Sequence, residues 1–488
     1  MASSDQAVQL SLPYICVQPS LPAVIAEVAD PQSLNAAENA WISFYRPQDS
    51  AGPGSSRTFH GRIILREAEQ SRAVEIECEQ PGAFEVDMLS RAVFRASCAE
   101  LSISPTRLIL PCPSSNVPRP ASHGSEETPA PAFYTMPAKG GVTCIAISPD
   151  RTRLVVGSRD GYCQVVEIES DPQSRRLTKG KDIALRGHVG DLTHIEFFPS
   201  SEVVLTASSD MSLRVFSALD GSCPRVLRGH TRPVTGTCIL SSVDGRHKGQ
   251  QVLSTSLDGT IKLWNVATGD CSRTWTLSKP ITALAVITID QESNGTSSNV
   301  LEGRFTLCGH SDGTVSLVSL APPPSPSLAP FAQVLQTFST SSRSNKSSID
   351  ALAYDRSSGR FATGDRTGFV NVFELSNSTL ELSTPAPDDV TPFVSWMRTD
   401  RCSILALQWS KRELGSLFVA SSDGLPYRAR IDVDRSSKSV EVLEEYVGLD
   451  CDPCTAIVED EIEDVVWTTG GKGDGGVRVY RTLTKDEP

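Results

Sequence analysis

An all-β fold is what this 488-residue sequence predicts: a closed seven-bladed β-propeller behind a small N-terminal domain. Three observations predict it. One short phrase recurs, an acidic or polar residue, usually Gly, and then a clipped apolar strand. It stands at Arg159-Asp160-Gly161, Ser209-Asp210, Leu257-Asp258-Gly259, Ser311-Asp312-Gly313, Arg366-Thr367-Gly368, Ser422-Asp423-Gly424 and Gly473-Asp474-Gly475, at spacings of 48 to 56 residues. A period of that length with one turn signal per unit marks a stacked or closed array. Between the beats the chain reads as short strands, such as Val142 to Ile147, Leu154 to Val156 and Cys163 to Ile168. Finally, the last unit ends one strand short after Val477 to Thr482, and Ala132-Phe-Tyr-Thr-Met136 is placed to supply that strand. Sharing a blade between the two ends removes exposed sheet edges.

Residues 1–109 lie outside the repeat. Gly61 to Leu65 and Ala73 to Cys78 alternate as half-wet strands, while Ala36 to Tyr45 reads as a helix start, so a small separate α+β or β-rich domain is expected. Residues 110–131 are a Pro- and Ser-rich linker, and 132–488 form the propeller. Two polar inserts, 288–303 and 321–330, fall in loops on the side away from the Asp turns, where long loops cost little.

Gly187-His188 and Gly229-His230 open two units, and the residues downstream of each build a hydrogen-bonding set that resembles WD repeats. His230, Ser254, Asp258 and Trp264 stand at the spacing of the structural tetrad of that fold. His188, Thr206 and Asp210 repeat it with Phe216 in place of Trp. In the other units the Trp position holds Val166, Val318, Phe373, Ala429 and Tyr480.

These His, Ser and Asp sets mimic a hydrolase triad, but the tetrad accounts for their spacing, and no catalytic role is expected. Cys451-Asp-Pro-Cys454 resembles half a zinc or redox motif without a second pair, so no metal is expected. Gly470 to Gly476 lacks the Gly-Lys-Ser/Thr of a phosphate loop and reads as a turn between two strands of the last blade, so no cofactor is expected either.

The formal net charge of −13 disfavours nucleic-acid binding and favours a basic protein partner. Acidity concentrates near the C-terminus, where residues 438–488 hold 13 Asp or Glu against 5 Lys or Arg. Glu459 to Asp464 reads as a solvated acidic loop, whereas Asp450 and Asp452 precede an inner strand and so share the rim of the Asp turns. Thirteen cysteines, mostly within apolar strands, fit a reduced compartment, and no window has the length of a signal core or membrane span. A cytoplasmic and nuclear location is expected.

Leu185 to Ser200, Ala218 to Thr260, Gly448-Leu-Asp-Cys-Asp-Pro453, Asp474 to Tyr480 and Asn39-Ala-Trp-Ile-Ser43 together resemble the proteasomal ATPase-associated factor family. The resemblance implies a chaperone of the proteasome regulatory particle, monomeric when free, that holds an ATPase subunit of the base by its C-terminal domain. Carried onto this chain, it implies an acidic rim, with Asp450 and Asp452 as contacts and Asp191, Asp365 and Asp400 on neighbouring loops. The alternative is a substrate receptor or scaffold of a ubiquitin ligase or another complex. The docking arginine such receptors carry is replaced in Phe216-Ser-Ala-Leu219 and Trp264-Asn-Val-Ala267.

Overall fold

The structure, a computed structural model, describes residues 8–29, 37–47, 56–67, 74–90, 92–112, 133–135, 140–170, 177–240, 250–288, 304–321, 332–340, 347–375, 390–434, 437–449, 452–460, 464–470 and 476–481. Seven blades, each built on four antiparallel strands, follow one another along the chain. Their innermost strands are Val142–Ile147, Leu192–Phe197, Val234–Leu240, Ile281–Thr288, Ile349–Asp355, Ile404–Trp409 and Ile457–Asp460. Each packs beside the inner strand of the next blade, and Ile457–Asp460 packs beside Val142–Ile147, so the ring is closed.

In the first six blades the register between the first two strands slips near the start of the inner strand, as between Val142 and Cys144, Leu192 and His194, and Ile404 and Ala406. A bulge adds local twist, which lets these strands converge on the axis. The second strands are buried over nearly their whole length, because neighbouring blades cover both faces. That is why Leu154-Val-Val and Val203-Val-Leu read as unbroken apolar runs and not as alternating ones.

The last blade takes its fourth strand from the front of the propeller: Tyr134 and Thr135 pair with Val477 and Gly476. Phe133 N–H donates to the Val477 carbonyl at 2.7 Å, and the Phe133 ring meets Trp467 edge-on at 5.0 Å. Residues 289–303 and 322–330 of the two inserts lie outside the described residues, but the inserts join first to second and third to fourth strands, the ends opposite the Asp turns.

Residues 8–112 hold a buried cluster to which the propeller gives only Val447 among the described residues, and they also pair directly with the blades, which the sequence reading did not anticipate. Val8–Ser11 runs parallel to Val394–Met397 as a fifth strand of blade five. Ile103–Ile109 runs parallel to Ser437–Tyr446, so Phe84–Ser90, Val93–Cys98 and Ile103–Ile109 extend blade six to seven strands. Cys112 N–H then donates to the Val479 carbonyl of blade seven at 2.7 Å. Only Tyr14–Val17, Ala37–Pro47, Ser56–Glu67 and Val74–Cys78 make a sheet of their own. The single described helix is Leu21–Val28, and the stretch expected to start a helix is the strand Ala37–Pro47. Within it Ile42 and Phe44 are wholly buried, in one cluster with Ile15, Ile63 and Phe84. Sheet packing of that kind outweighs the helical preference of Ala36-Ala-Glu.

A buried ion pair marks the seam. Arg398 and Glu445 have side chains 4% and 3% exposed and approach to 2.5 Å. The Glu445 carboxylate also accepts the Ile15 N–H, and the Arg398 guanidinium lies over the Tyr427 and Tyr14 rings at 4.5 and 5.5 Å. Removing one partner strands a charge in the interior, at a cost of about 3–5 kcal/mol. We therefore expect Glu445→Ala to lower unfolding free energy by that amount in urea titration. Deleting residues 470–488 should abolish soluble expression, and a soluble truncation that melts cooperatively would show that the ring closes in another way.

Candidate functional site

The rim that carries the Asp turns also carries the loops from each outer strand to the next inner strand. Its turns are first of all fasteners. In blade three the Trp264 Nε1–H donates to Ser254 Oγ at 2.8 Å, Ser254 Oγ–H donates to His230 Nε2 at 2.8 Å, and His230 Nδ1–H donates to Asp258 at 2.9 Å. Asp258 further accepts Thr231 N–H, Thr260 N–H and the Thr260 hydroxyl, which ties its own turn to the incoming loop.

Blade two brings His188, Thr206 and Asp210 together in the same way, with both His contacts at 2.8 Å. Phe216 offers no N–H, and the Thr206 hydroxyl lies 3.3 Å from the Arg214 carbonyl. Burial pushes His188 and His230 below the ordinary histidine value of 6.5, against the opposing pull of their Asp partners, so both rings are neutral. Burial alone would raise the Asp210 carboxyl, but bonds from Ser212 and His188 hold it down to about 2.

The other blades solve the same problem with different residues. In blade four His310, from the end of the second strand, donates to the Pro280 carbonyl and pairs with Ser316 at 2.8 Å, while Asp312 is capped by Lys279 at 2.7 Å. In blade six Asp423 accepts the Ser421 and Thr399 hydroxyls and Leu425 N–H. Blade five moves its carboxylate two residues upstream: Asp365 accepts Thr367, Gly368 and Phe369 N–H groups at 2.8–3.0 Å. Asp365 is therefore 6% exposed and bound within its own turn, which removes it from the rim contacts expected above.

Asp191 is exposed on the loop into blade two. Asp400, on the loop into blade six, is half-buried and 3.7 Å from the Arg401 guanidinium. Asp452, on the loop into blade seven, is half-buried, and its N–H donates to the Leu449 carbonyl at 2.9 Å. Asp450, Cys451 and the 471–475 turn lie outside the described residues. Cys454 is wholly buried with its thiol pushed up to about 12 by burial, so it is not a reactive thiol at neutral pH.

The described residues of the acidic run, Glu459, Asp460 and Asp464, have partners within the fold, unlike the solvated loop expected. Glu459 accepts the Ser410 hydroxyl and Lys411 N–H, Asp460 pairs with Arg151 at 2.9 Å, and Asp464 pairs with Arg412. These partners come from the hairpins of blades one and six on the opposite face. What sequence reasoning missed on the rim is basic and apolar: exposed Arg159, Arg186, Arg228 and Arg232, with Val189 and Met211. The available signal was Met211, the one position where a beat lacks its Gly.

Comparison with known proteins fits this geometry. The family profile for the WD domain, G-beta repeat, matches residues 132–166, 181–217 and 221–265. Apoptotic protease-activating factor 1 of Danio rerio is 34% identical over 128 residues, 26% of this chain and 9% of that protein. The 26S proteasome regulatory subunit RPN14 of Saccharomyces cerevisiae is 34% identical over 88 residues, 18% of this chain and 19% of that one. Pre-mRNA-processing factor 19 of Bos taurus is 28% identical over 130 residues, 26% of this chain and 23% of that one. The matched stretch thus spans less than a quarter of the length of each of these relatives.

The tetrad leads to two expected outcomes. Trp264→Phe, which makes blade three like blade two, should cost about 1 kcal/mol in urea denaturation. His188 and His230 are held below their unfolded value of about 6.5, so their contribution is present above that pH and lost as pH falls below it. Wild type should lose more stability between pH 7.5 and 5 than His230→Gln does, measured by the same titration.

Proposed function

We propose that this chain, a WD-repeat protein, is a non-enzymatic assembly factor that binds the C-terminal domain of a proteasomal ATPase subunit and assists formation of the regulatory-particle base in the cytoplasm and nucleus. The observation that carries the reading is the 34% identity to the proteasome regulatory subunit RPN14, together with the family resemblance of Gly448 to Pro453. The residue chemistry supports a binding role. The His, Ser and Asp groups that could mimic a hydrolase are engaged in turn-fastening hydrogen bonds. That leaves the loops as the recognition surface.

Within that reading, Asp191, Asp400 and Asp452 supply carboxylates from three loops on one rim to a basic helical surface. Such charges raise the association rate and set orientation. The matches to apoptotic protease-activating factor 1 and pre-mRNA-processing factor 19 favour the second reading, a scaffold of another multiprotein complex.

A tagged full-length chain recovered from cell extract separates the two. Free base ATPases without the mature core particle are the expected companions, and a cullin adaptor in their place would overturn the assembly reading. Asp191→Lys with Asp452→Lys should weaken binding to the isolated ATPase subunit by about 10-fold at moderate salt, with the melting temperature little changed. Unchanged affinity removes these two carboxylates from the contact.

A further inference from the structure

The rim over blades one to three holds a second feature that the acidic reading does not use. In blades one to six each Asp turn ends in a left-handed residue, and in all but blade two that residue is Gly. The reason is steric: a Cβ would stand 2.6 Å from the His188 carbonyl oxygen at Gly161, 3.0 Å from the Leu277 oxygen at Gly259 and 2.8 Å from the Thr399 oxygen at Gly368. Blade two alone among these carries a side chain there. Met211 has a φ of 66°, is 43% exposed and belongs to none of the described hydrophobic clusters. The fold bears the strain of this residue and gains no core packing from it. Strained positions with no structural return concentrate at binding sites.

Beside it stands Val189, 87% exposed. Its N–H donates to Asp210, the residue before Met211, at 3.2 Å, so the two apolar side chains flank one carboxylate. Four arginines lie on the turn and loops that adjoin them, where they outnumber the exposed carboxylates Asp160 and Asp191. Arg186 and Arg228 occupy the same place in successive Leu-Arg-Gly-His loops, Arg232 comes next on the second loop, and Arg159 lies in the blade-one turn, whose Gly161 sits against the His188 backbone. All four are exposed, and none of their guanidiniums has an intramolecular hydrogen-bond or ion-pair partner among the described residues.

We infer that Val189 and Met211, with Arg159, Arg186, Arg228 and Arg232 on the adjoining turn and loops, form a docking patch for an acidic protein segment that inserts a bulky apolar side chain. Unpaired guanidiniums are forks suited to carboxylates, an exposed Met adapts its shape to an apolar anchor, and a central apolar contact within a charged rim is how interfaces concentrate binding energy. The patch is opposite in sign to Asp400 and Asp452, and exposed Asp191 borders it on the Val189 loop; it does not rest on the reading above, and Asp191→Lys, which should weaken the ATPase subunit, should leave acidic peptides bound as tightly or more tightly. A single-stranded nucleic acid would want aromatic platforms for its bases; the exposed side chains at the centre of this patch are aliphatic, and the chain as a whole carries −13.

The test is selection of a phage-displayed random peptide library on the full-length chain, followed by fluorescence polarisation with the enriched peptides. Enriched sequences should carry Asp or Glu around a bulky apolar residue. Arg186→Glu with Arg232→Glu should weaken them at least about 10-fold. Met211→Gly, which restores the residue of the other turns, should weaken them about 3- to 10-fold while leaving the melting temperature equal or higher. Neutral or basic enriched peptides, binding indifferent to Met211→Gly, or tighter binding of an RNA oligonucleotide to the same arginines would each overturn the proposal.

Discussion

Closure of the ring is the constraint on which the rest depends. A blade is stable only between two neighbours, because its second strand is buried on both faces and presents apolar side chains to each side. An open ring would leave two such faces in water, together with unpaired strand edges. Yet the clasp itself is small, a pairing of Tyr134 and Thr135 with Val477 and Gly476. Residues 8–112 reinforce it from outside. They add a parallel strand to blade five and three strands to blade six, and they bond to blade seven through Cys112, spanning the three blades that end the ring. The buried Arg398–Glu445 pair sits inside this brace, where Ile15 supplies the N–H that the carboxylate would otherwise lack.

The same economy explains why the tetrad can decay without loss of the fold. What each rim turn requires is an acceptor for the N–H groups of its tight bend and a tie to the incoming loop. Asp258 and Asp210 meet both needs through a buried neutral His. Asp312 does so through Lys279, Asp423 through Thr399, and Asp365 by bonding three successive N–H groups from two residues upstream. The task is the same in each blade while the residues that perform it differ, which is why the profile match is confined to the early blades while the architecture runs through all seven.

That freedom sets what was legible in advance. The Asp-Gly beat encodes a left-handed turn that few residues tolerate, so blade number and strand order could be read from it. The parallel pairings of Val8–Ser11 and Ile103–Ile109 join residues more than 300 apart and leave no local periodicity, so the attachment of residues 8–112 to the blades could not be read in advance. The helix expected at Ala36 fails for a related reason: long-range burial of Ile42 and Phe44 decides it, not local preference. Among the site residues, Asp365 looked like a rim carboxylate because the sequence shows position but not partners. Glu459 to Asp464 looked solvated because Arg151 and Arg412 arrive from other blades.

Position of the brace also makes the surface of the ring uneven. Blades five and six have their outer strands paired to residues 8–109, so their perimeter is occupied. On the rim above them Arg366 is paired to Asp350, so part of the basic charge is met internally. Over blades one to three the outer strands end without such cover, and the arginines of the adjoining loops have no partner among the described residues. A ring built from near-equivalent units is thus made asymmetric by where its N-terminal strands attach. The unattached sector is the one that keeps both unpaired charge and a strained apolar residue in water, and that combination has a physical use only when another molecule covers it.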